Sequence, residues 1–399
     1  MKGNLMMDQT ADFVVIGGGC AGTSIAYHLA SQRAGRVTLL ERHTLASGTT
    51  GFSSAIVRQH YTVPVVARMA QRSLRVFQHF GEAIGGESGF RQTGLLVGAR
   101  AQDLDHLRET VAMHHELGID SRMIDLEQLQ ELEPRMSTTD LVAACYEPEA
   151  GYADPVATTQ SFGRRARELG AQVREHSPVH SLLVQGDRVR GVRLQDGTQI
   201  EAPTVVVAAN NWGVVLLRAV GVDLPVHPSR HACVLIQQPD GFGGQHPILL
   251  DMTNGLYLRP EGTDLTLAGT LDEPENEEPV DPDRYNAVPT HAEEADIAAR
   301  ICRRFPALQE GTVQSGWAGI YDVSADWQPI LSAIPGISGL FCALGFSGHG
   351  FKLSPVVGEM MANLMVGRST EGIDMEIFRA ERFVGGALAH STYAFGIIG

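Results

Sequence analysis

A glycine cluster set directly after an apolar run limits this chain more than any other feature. Residues 12–16 (DFVVI) are a short apolar stretch that runs into glycine, the pattern of a buried parallel strand. Residues 21–31 follow with helical spacing, Ala21, Ile25 and Leu29 falling on one face, and residues 36–40 (RVTLL) read as a second strand. Within this β-α-β unit Gly17, Gly19 and Gly22 fit G-x-G-x-x-G. Gly17 permits a tight turn, Gly19 lets backbone N–H groups approach a pyrophosphate, and Gly22 allows close helix–strand packing. The helix N-terminus then faces the phosphates with its positive dipole end. Glu41 closes the second strand where it can accept from ribose hydroxyls, and a carboxylate there repels a 2′-phosphate, disfavouring NADP. Taken singly the signals are weak: any glycine-rich turn could hold the three glycines, and Glu41 could be a solvated strand end. In register they point to an adenine dinucleotide, NAD or FAD.

The chain has 399 residues, longer than the roughly 250–300 at which single cores stop growing. A helix is predicted over 63–80, where Val66, Ala70, Leu74 and Phe77 recur every three or four residues. Residues 81–149 mix short strands with a charged helix (103–117). Residues 154–169 are helical, 172–201 alternate like a small antiparallel hairpin set, and 204–208 (TVVVA) repeat the texture of a buried strand. Strands at 233–237, 256–259 and 265–268 follow, with an acidic, proline-bearing loop at 272–283. The end returns to a strand (340–343), a glycine loop and a helix from 355 to 365. The expected division is a discontinuous nucleotide-binding domain (10–80, 150–221, 315–383), an interleaved second domain (81–149, 222–314) and a tail (384–399).

The net charge of −15 argues against nucleic acid and against an anionic membrane surface, both of which need clustered Lys and Arg. Five scattered cysteines without a C-x-x-C pair fit a reducing compartment. They offer no zinc or other metal set and no redox pair of the disulfide-reductase kind. No secretory leader and no span of roughly 20 apolar residues is visible. The chain reads as cytoplasmic.

Further segments carry a resemblance. Glu41-Arg42-His43 runs into Ser47-Gly48-Thr49-Thr50-Gly51, then Ala55 to Tyr61 (AIVRQHY), and much later comes Gly345-Phe-Ser-Gly-His-Gly-Phe-Lys352. Gly151-Tyr-Ala-Asp154-Pro and Ala208-Ala-Asn-Asn-Trp212 add to the set. From 12 to about 383 the chain resembles the D-amino-acid-oxidase family of flavoproteins, in particular its sarcosine oxidase (β subunit) and dimethylglycine dehydrogenase branch. The resemblance implies an α/β fold: a Rossmann-like FAD-binding domain with an interleaved α+β substrate domain on a mainly antiparallel sheet. It implies FAD lined by Gly17, Gly19, Gly22, Glu41, Arg42, Ser47, Gly48, Thr49, Thr50, Ser53 and Ser54. Val179 lies near the adenine, with Ala209, Trp212 and Gly319 alongside, and Gly345, Gly348, His349, Gly350, Phe351 and Lys352 approach the pyrimidine edge of the ring. Donors at that edge stabilise the negative charge gained on reduction. Relatives that bind flavin covalently use a Cys near Gly319 or a His near Phe52; neither is present, so FAD is expected to be non-covalent. Monomeric relatives carry a Lys in the strand read here as 265–267, where Thr266 stands. Oxygen and an electron-transfer partner therefore both remain open as acceptor.

The same resemblance places Arg58 and Lys352 on the carboxylate of a small amino acid, whose C–N bond is oxidised by hydride transfer. The substrate is of N-methyl or secondary-amine type (sarcosine, dimethylglycine, proline) or a D-amino acid. Tyr321 and Tyr257 are expected at the pocket wall, and His60 and His349 are candidate bases for the amine proton. Arg259 could bind a second acid group. Each has a plain structural alternative: an interface ion pair for Arg58, a solvated loop end for Lys352, ordinary buried hydroxyls for the tyrosines, a surface residue for His60. A flavin-bearing subunit of a homo- or hetero-oligomer and an NAD-linked enzyme on a similar fold are the competing readings.

Overall fold

A computed structural model describes residues 10–272, 280–370, 372–385, 388, 389 and 391. The chain's start, residues 273–279 of the acidic loop and most of the tail expected at 384–399 lie outside the described residues. A six-stranded sheet has the order Ile330–Ala333, Leu340–Leu344, Thr204–Val207, Phe13–Ile16, Val37–Leu40, Gln172–Arg174. Its neighbours are parallel except for Ile330–Ala333, which runs antiparallel to Leu340–Leu344. Strands Phe13–Ile16 and Val37–Leu40 are buried at every residue because both faces are covered. Phe13, Val15, Val37 and Leu39 pack with helices Cys20–Ser31, Pro155–Glu168 and Gly350–Met365. Val14, Ile16 and Leu40 turn the other way, onto the antiparallel sheet of Val179–Gln185, Arg188–Leu194 and Gln199–Glu201.

A second, eight-stranded sheet has the order Thr312–Ser324, Val226–Gln237, Leu265–Thr270, Leu256–Glu261, Ile248–Asp251, Leu95–Ala99, Ala143–Glu147, Arg122–Ile124. It is antiparallel apart from the pair Ile248–Asp251 and Leu95–Ala99. A three-stranded ribbon (Ile56–Val57, Gly151–Tyr152, Arg91–Gln92) lies between the two systems in the chain. The expected α/β fold with an interleaved, mainly antiparallel sheet is what the chain forms.

Three expectations are corrected. Residues 172–174 join the parallel sheet beside Val37–Leu40 rather than the hairpin set, because Leu39 and Leu40 need a neighbour on that edge. Residues 312–324, expected from 315 onward with the nucleotide-binding segments, pair along their length with Val226–Gln237. The last long helix begins at Gly350, not 355, and takes Pro355 into its interior. Proline is at home in a first turn, but here the tertiary fold carries it within the helix.

Four histidines, the buried His114, His231 and His246 and the half-buried His28, are each pushed by loss of water from the ordinary 6.5 to about 4. The unfolded chain binds protons at these groups below pH 6.5 while the folded chain resists until about 4. Their stabilising contribution is therefore complete above 6.5 and is lost as pH falls toward 4. Asp322, raised by burial to about 7, works in the opposite sense over the same window but is one group against four. Thermal melts between pH 7.5 and 4.5 are expected to show a falling midpoint; a flat or rising one contradicts this balance.

Candidate functional site: an extended cleft along the parallel sheet

The floor of the cleft is made where backbones touch. A Cβ on Gly17 would stand 2.4 Å from the Ala208 carbonyl oxygen, and one on Gly22 only 2.0 Å from the Gly17 carbonyl oxygen. Gly17 also sits at φ +113°, which side chains rarely adopt. The strand end, the helix start and the Thr204–Val207 strand can meet only with glycine at these places. Gly19 is the N-cap of helix Cys20–Ser31 and has no side chain to cap it, so the first-turn amides need acceptors from elsewhere. Thr50 Oγ1 accepts from Cys20 N at 3.2 Å. Glu41 accepts from Gly18 N at 2.7 Å through Oε2 and from His43 N at 2.9 Å through Oε1, which fixes its carboxylate at the edge.

The cleft, ≈ 690 Å³, runs from this floor to the eight-stranded sheet. Its near half is walled by Gly17, Gly19, Glu41, Arg42, Ser47, Gly48, Thr49, Thr50, Val179, Ala209 and Trp212. Its far half is walled by Ser53, Ser54, Gly319, Tyr321, Gly348, Gly350 and Phe351. The structure thus brings most of the expected residues to one surface. Gly22 and Gly345 stand behind it, the first packing against Gly17 and the second donating its N–H to Asp322 Oδ2 at 2.7 Å. Arg42 does more than line the rim. It lies over the Trp212 ring at 4.1 Å and pairs with Asp283 at 2.9 Å, which also accepts from Trp212 Nε1 at 2.9 Å.

Other expected residues are not where the sequence put them. His60 is no surface residue and does not wall the cleft: it has no exposure, and its Nδ1 lies 3.3 Å from Glu147 Oε1. Its role as amine base is therefore withdrawn. His349, also buried, meets the Tyr61 hydroxyl through Nδ1 at 3.1 Å and sits at the N-cap of helix Gly350–Met365, which is an ordering role. Tyr257 stands one layer back, its hydroxyl 2.9 Å from the sulfur of Cys233, which does wall the cleft. Arg259 donates to Ser54 O at 2.6 Å and pairs with Glu261 at 2.6 Å, so its charge is already committed. Thr266 is turned away from the cleft: its hydroxyl lies 3.1 Å from Gln238 Nε2 and 3.1 Å from His246 Nε2. The inference about oxygen drawn from Thr266 falls with that placement.

Lys352 lies in the first turn of the long helix rather than at a loop end, and is 8% exposed. Burial, then the nearby Arg58, pull its ammonium well below the usual lysine range. Arg58 is 3% exposed; its guanidinium donates to the His60 carbonyl and lies 4.3 Å over the Tyr61 ring. Sequence reading missed His231, which stacks on Tyr321 at 4.0 Å and is kept neutral by burial, and Asp322. It also missed Asp283. None lies in a motif; only tertiary pairing, of Val226–Gln237 with Thr312–Ser324, brings His231 beside Tyr321.

Residues 12–364 match the FAD dependent oxidoreductase family (DAO). The chain belongs to that family. It is an FAD-dependent oxidoreductase, and the NAD-linked alternative is set aside. Human mitochondrial sarcosine dehydrogenase is 29% identical over 393 residues, 94% of this chain and 42% of that protein. The chain thus spans less than half the length of this curated relative. The sarcosine oxidase subunit beta of Arthrobacter sp is 28% identical over 398 residues, covering 95% of this chain and 93% of that protein. L-proline dehydrogenase from P. horikoshii has the same fold, with a TM-score of 0.87, 27% identity, and coverage of 96% and 100%. The cleft fits the family's cofactor: its volume lies within the usual span of small-molecule sites of about 300–1,000 Å³. Its glycine floor admits a backbone-bound pyrophosphate, and Glu41 is of the acceptor type that suits a ribose. No helix among the described residues is long and apolar enough to cross a membrane.

The glycine floor carries the first test of cofactor binding. Gly22→Val, which drives a side chain onto the Gly17 carbonyl, is expected to lower FAD affinity by at least about tenfold, read by flavin absorbance after reconstitution. Unchanged flavin content in a folded variant contradicts the assignment.

Proposed function

We propose that the chain oxidises the carbon–nitrogen bond of a small amino acid whose carboxylate is held by Arg58 and Lys352, with FAD bound non-covalently in the cleft. The observation that carries this reading is the pair of cations buried together behind the far wall. Burial and the repulsion of Arg58 both act against the Lys352 ammonium, and among the described residues no carboxylate pairs with it. A lysine so placed is costly unless an anion joins it. A substrate carboxylate supplies that anion and is oriented by it. FAD, when bound, supplies the hydride acceptor.

The chain's own groups do the rest. Arg58, stacked on Tyr61, offers a rigid planar fork. Lys352 offers its ammonium to the carboxylate, whose charge offsets the cost of its burial. A substrate amine that arrives neutral is fit to lose a hydride from its neighbouring carbon, giving an iminium that water hydrolyses. Tyr321, half-buried and stacked on neutral His231, forms an uncharged wall beside the reacting centre. Gly319 and Phe52 wall the cleft and carry no nucleophile, which supports non-covalent flavin. Sarcosine, dimethylglycine and proline types, or a D-amino acid, are the substrate class; the names of the sarcosine- and proline-acting relatives support the secondary amines. That the Arthrobacter relative is by name a subunit supports work beside a second chain.

Purified protein is expected to be yellow and to be bleached without oxygen by at least one such amino acid. Arg58→Met and Lys352→Met are each expected to keep the flavin bands and to raise the half-bleaching concentration by at least about tenfold. Half-bleaching at the wild-type concentration in both variants contradicts the reading.

A further inference from the structure

Behind Arg58 lies a buried acid that the proposed reaction does not use. Glu147 ends strand Ala143–Glu147 of the eight-stranded sheet and has no exposed surface. Its Oε1 lies 3.3 Å from His60 Nδ1 and 3.7 Å from His114 Nδ1, and its Oε2 accepts from Gln59 N at 3.1 Å. His114 Nε2 faces the Tyr61 carbonyl at 3.0 Å; a carbonyl only accepts, so this nitrogen carries the proton. With burial holding His114 neutral, its Nδ1 is left as the acceptor for the Ser121 hydroxyl at 3.1 Å. Glu147 and His114 therefore grip the backbone of Gln59 and Tyr61 from the side of the eight-stranded sheet, immediately after Arg58.

The grip passes directly to the cations. The Arg58 guanidinium donates to the carbonyl of His60 and stacks on Tyr61, so the gripped segment is also its seat. The Tyr61 hydroxyl meets His349, which stands at the N-cap of the helix that carries Lys352. A carboxylate without water is costly to bury and is tolerated only with good partners. Burial pushes Glu147 up, but His60 and the Gln59 amide outweigh it and hold the carboxyl below the usual glutamate range.

We propose that Glu147 is a positioning residue that, with His114, seats residues 59–61 and so fixes Arg58 for the substrate carboxylate. This rests on the reading of Arg58 given above. The same three side chains, His60, His114 and Glu147, also have the spacing of a metal-ligand set. The Ser121 hydroxyl on His114 Nδ1 favours the hydrogen-bonded arrangement.

The test uses the FAD-loaded protein and acetate as a carboxylate that cannot be oxidised, its binding read from the shift of the flavin bands. Glu147→Gln is expected to keep the flavin content and to weaken acetate binding by at least about tenfold. With the amino-acid substrate, KM is expected to rise far more than the limiting rate of bleaching falls, and Glu147→Asp to restore part of the loss. Arg58→Met separates the two ideas. If it leaves acetate binding intact, the reading of Arg58 fails; if it abolishes binding while Glu147→Gln changes nothing, only the present inference fails. Should Glu147→Gln not fold, His60→Gln combined with Glu147→Gln replaces the pair by two amides that can bond to each other. Wild-type acetate affinity in that protein overturns the proposal. So does a stoichiometric metal ion in the wild-type protein that Glu147→Gln releases.

Discussion

Backbone touching backbone at Gly17, Gly22 and Ala208 is the constraint on which the rest depends. It draws the end of one parallel strand, the start of a helix and the end of the neighbouring strand to van der Waals distance. The first-turn amides of Cys20–Ser31 then open on the crevice beyond the carboxyl ends of the strands, where open α/β sheets bind ligands. Every other wall of the cleft is placed relative to that floor. Thr50 reaches it through Cys20 N, Glu41 through Gly18 N, and Ala208 leads directly into the helix that brings Trp212.

The far end obeys a different rule, set by charge rather than by contact. Arg58 and Lys352 lie behind the wall without the water that makes isolated cations cheap. Glu147, drawn from the other sheet, lies behind the Arg58 segment, and the cleft lies in front. On the proposed reading, an anionic substrate group completes this end of the site. Local backbone adds to the cost: Ala46, Ala55, Asn210 and Ser347 all hold positive φ near the cleft, at 64°, 52°, 49° and 50°. For residues with a Cβ this region is unfavourable by about 1–2 kcal/mol each. Such strain persists where the surrounding structure fixes the chain for a ligand.

Much of the near half was legible in the sequence, because its chemistry is local. A strand, three glycines, a helix and a terminal acid are all visible within residues 12–41, and each has one physical job. The far half was legible only in part. Gly348, Gly350 and Phe351 came through a contiguous stretch, but the helix start was displaced to Pro355, since the tertiary fold accepts a proline that local rules place at a first turn. His231, Asp283 and Glu147 carried no signal, because their partners lie 90, 71 and 88 residues away or are met only through strand pairing. His60 misled for the same reason: nothing in its neighbours along the chain shows that Glu147 and His114 enclose it.

The central claim is that the cation pair, with FAD in the cleft, recognises an amino acid by its carboxylate. It is tested most directly by anaerobic bleaching with one substrate amino acid and with its primary amide, which differs only in the missing negative charge. The account predicts that the acid bleaches the flavin and that the amide does so only at concentrations higher by at least about a hundredfold, the order expected for losing a buried charge pair. Equal bleaching by the two would contradict it.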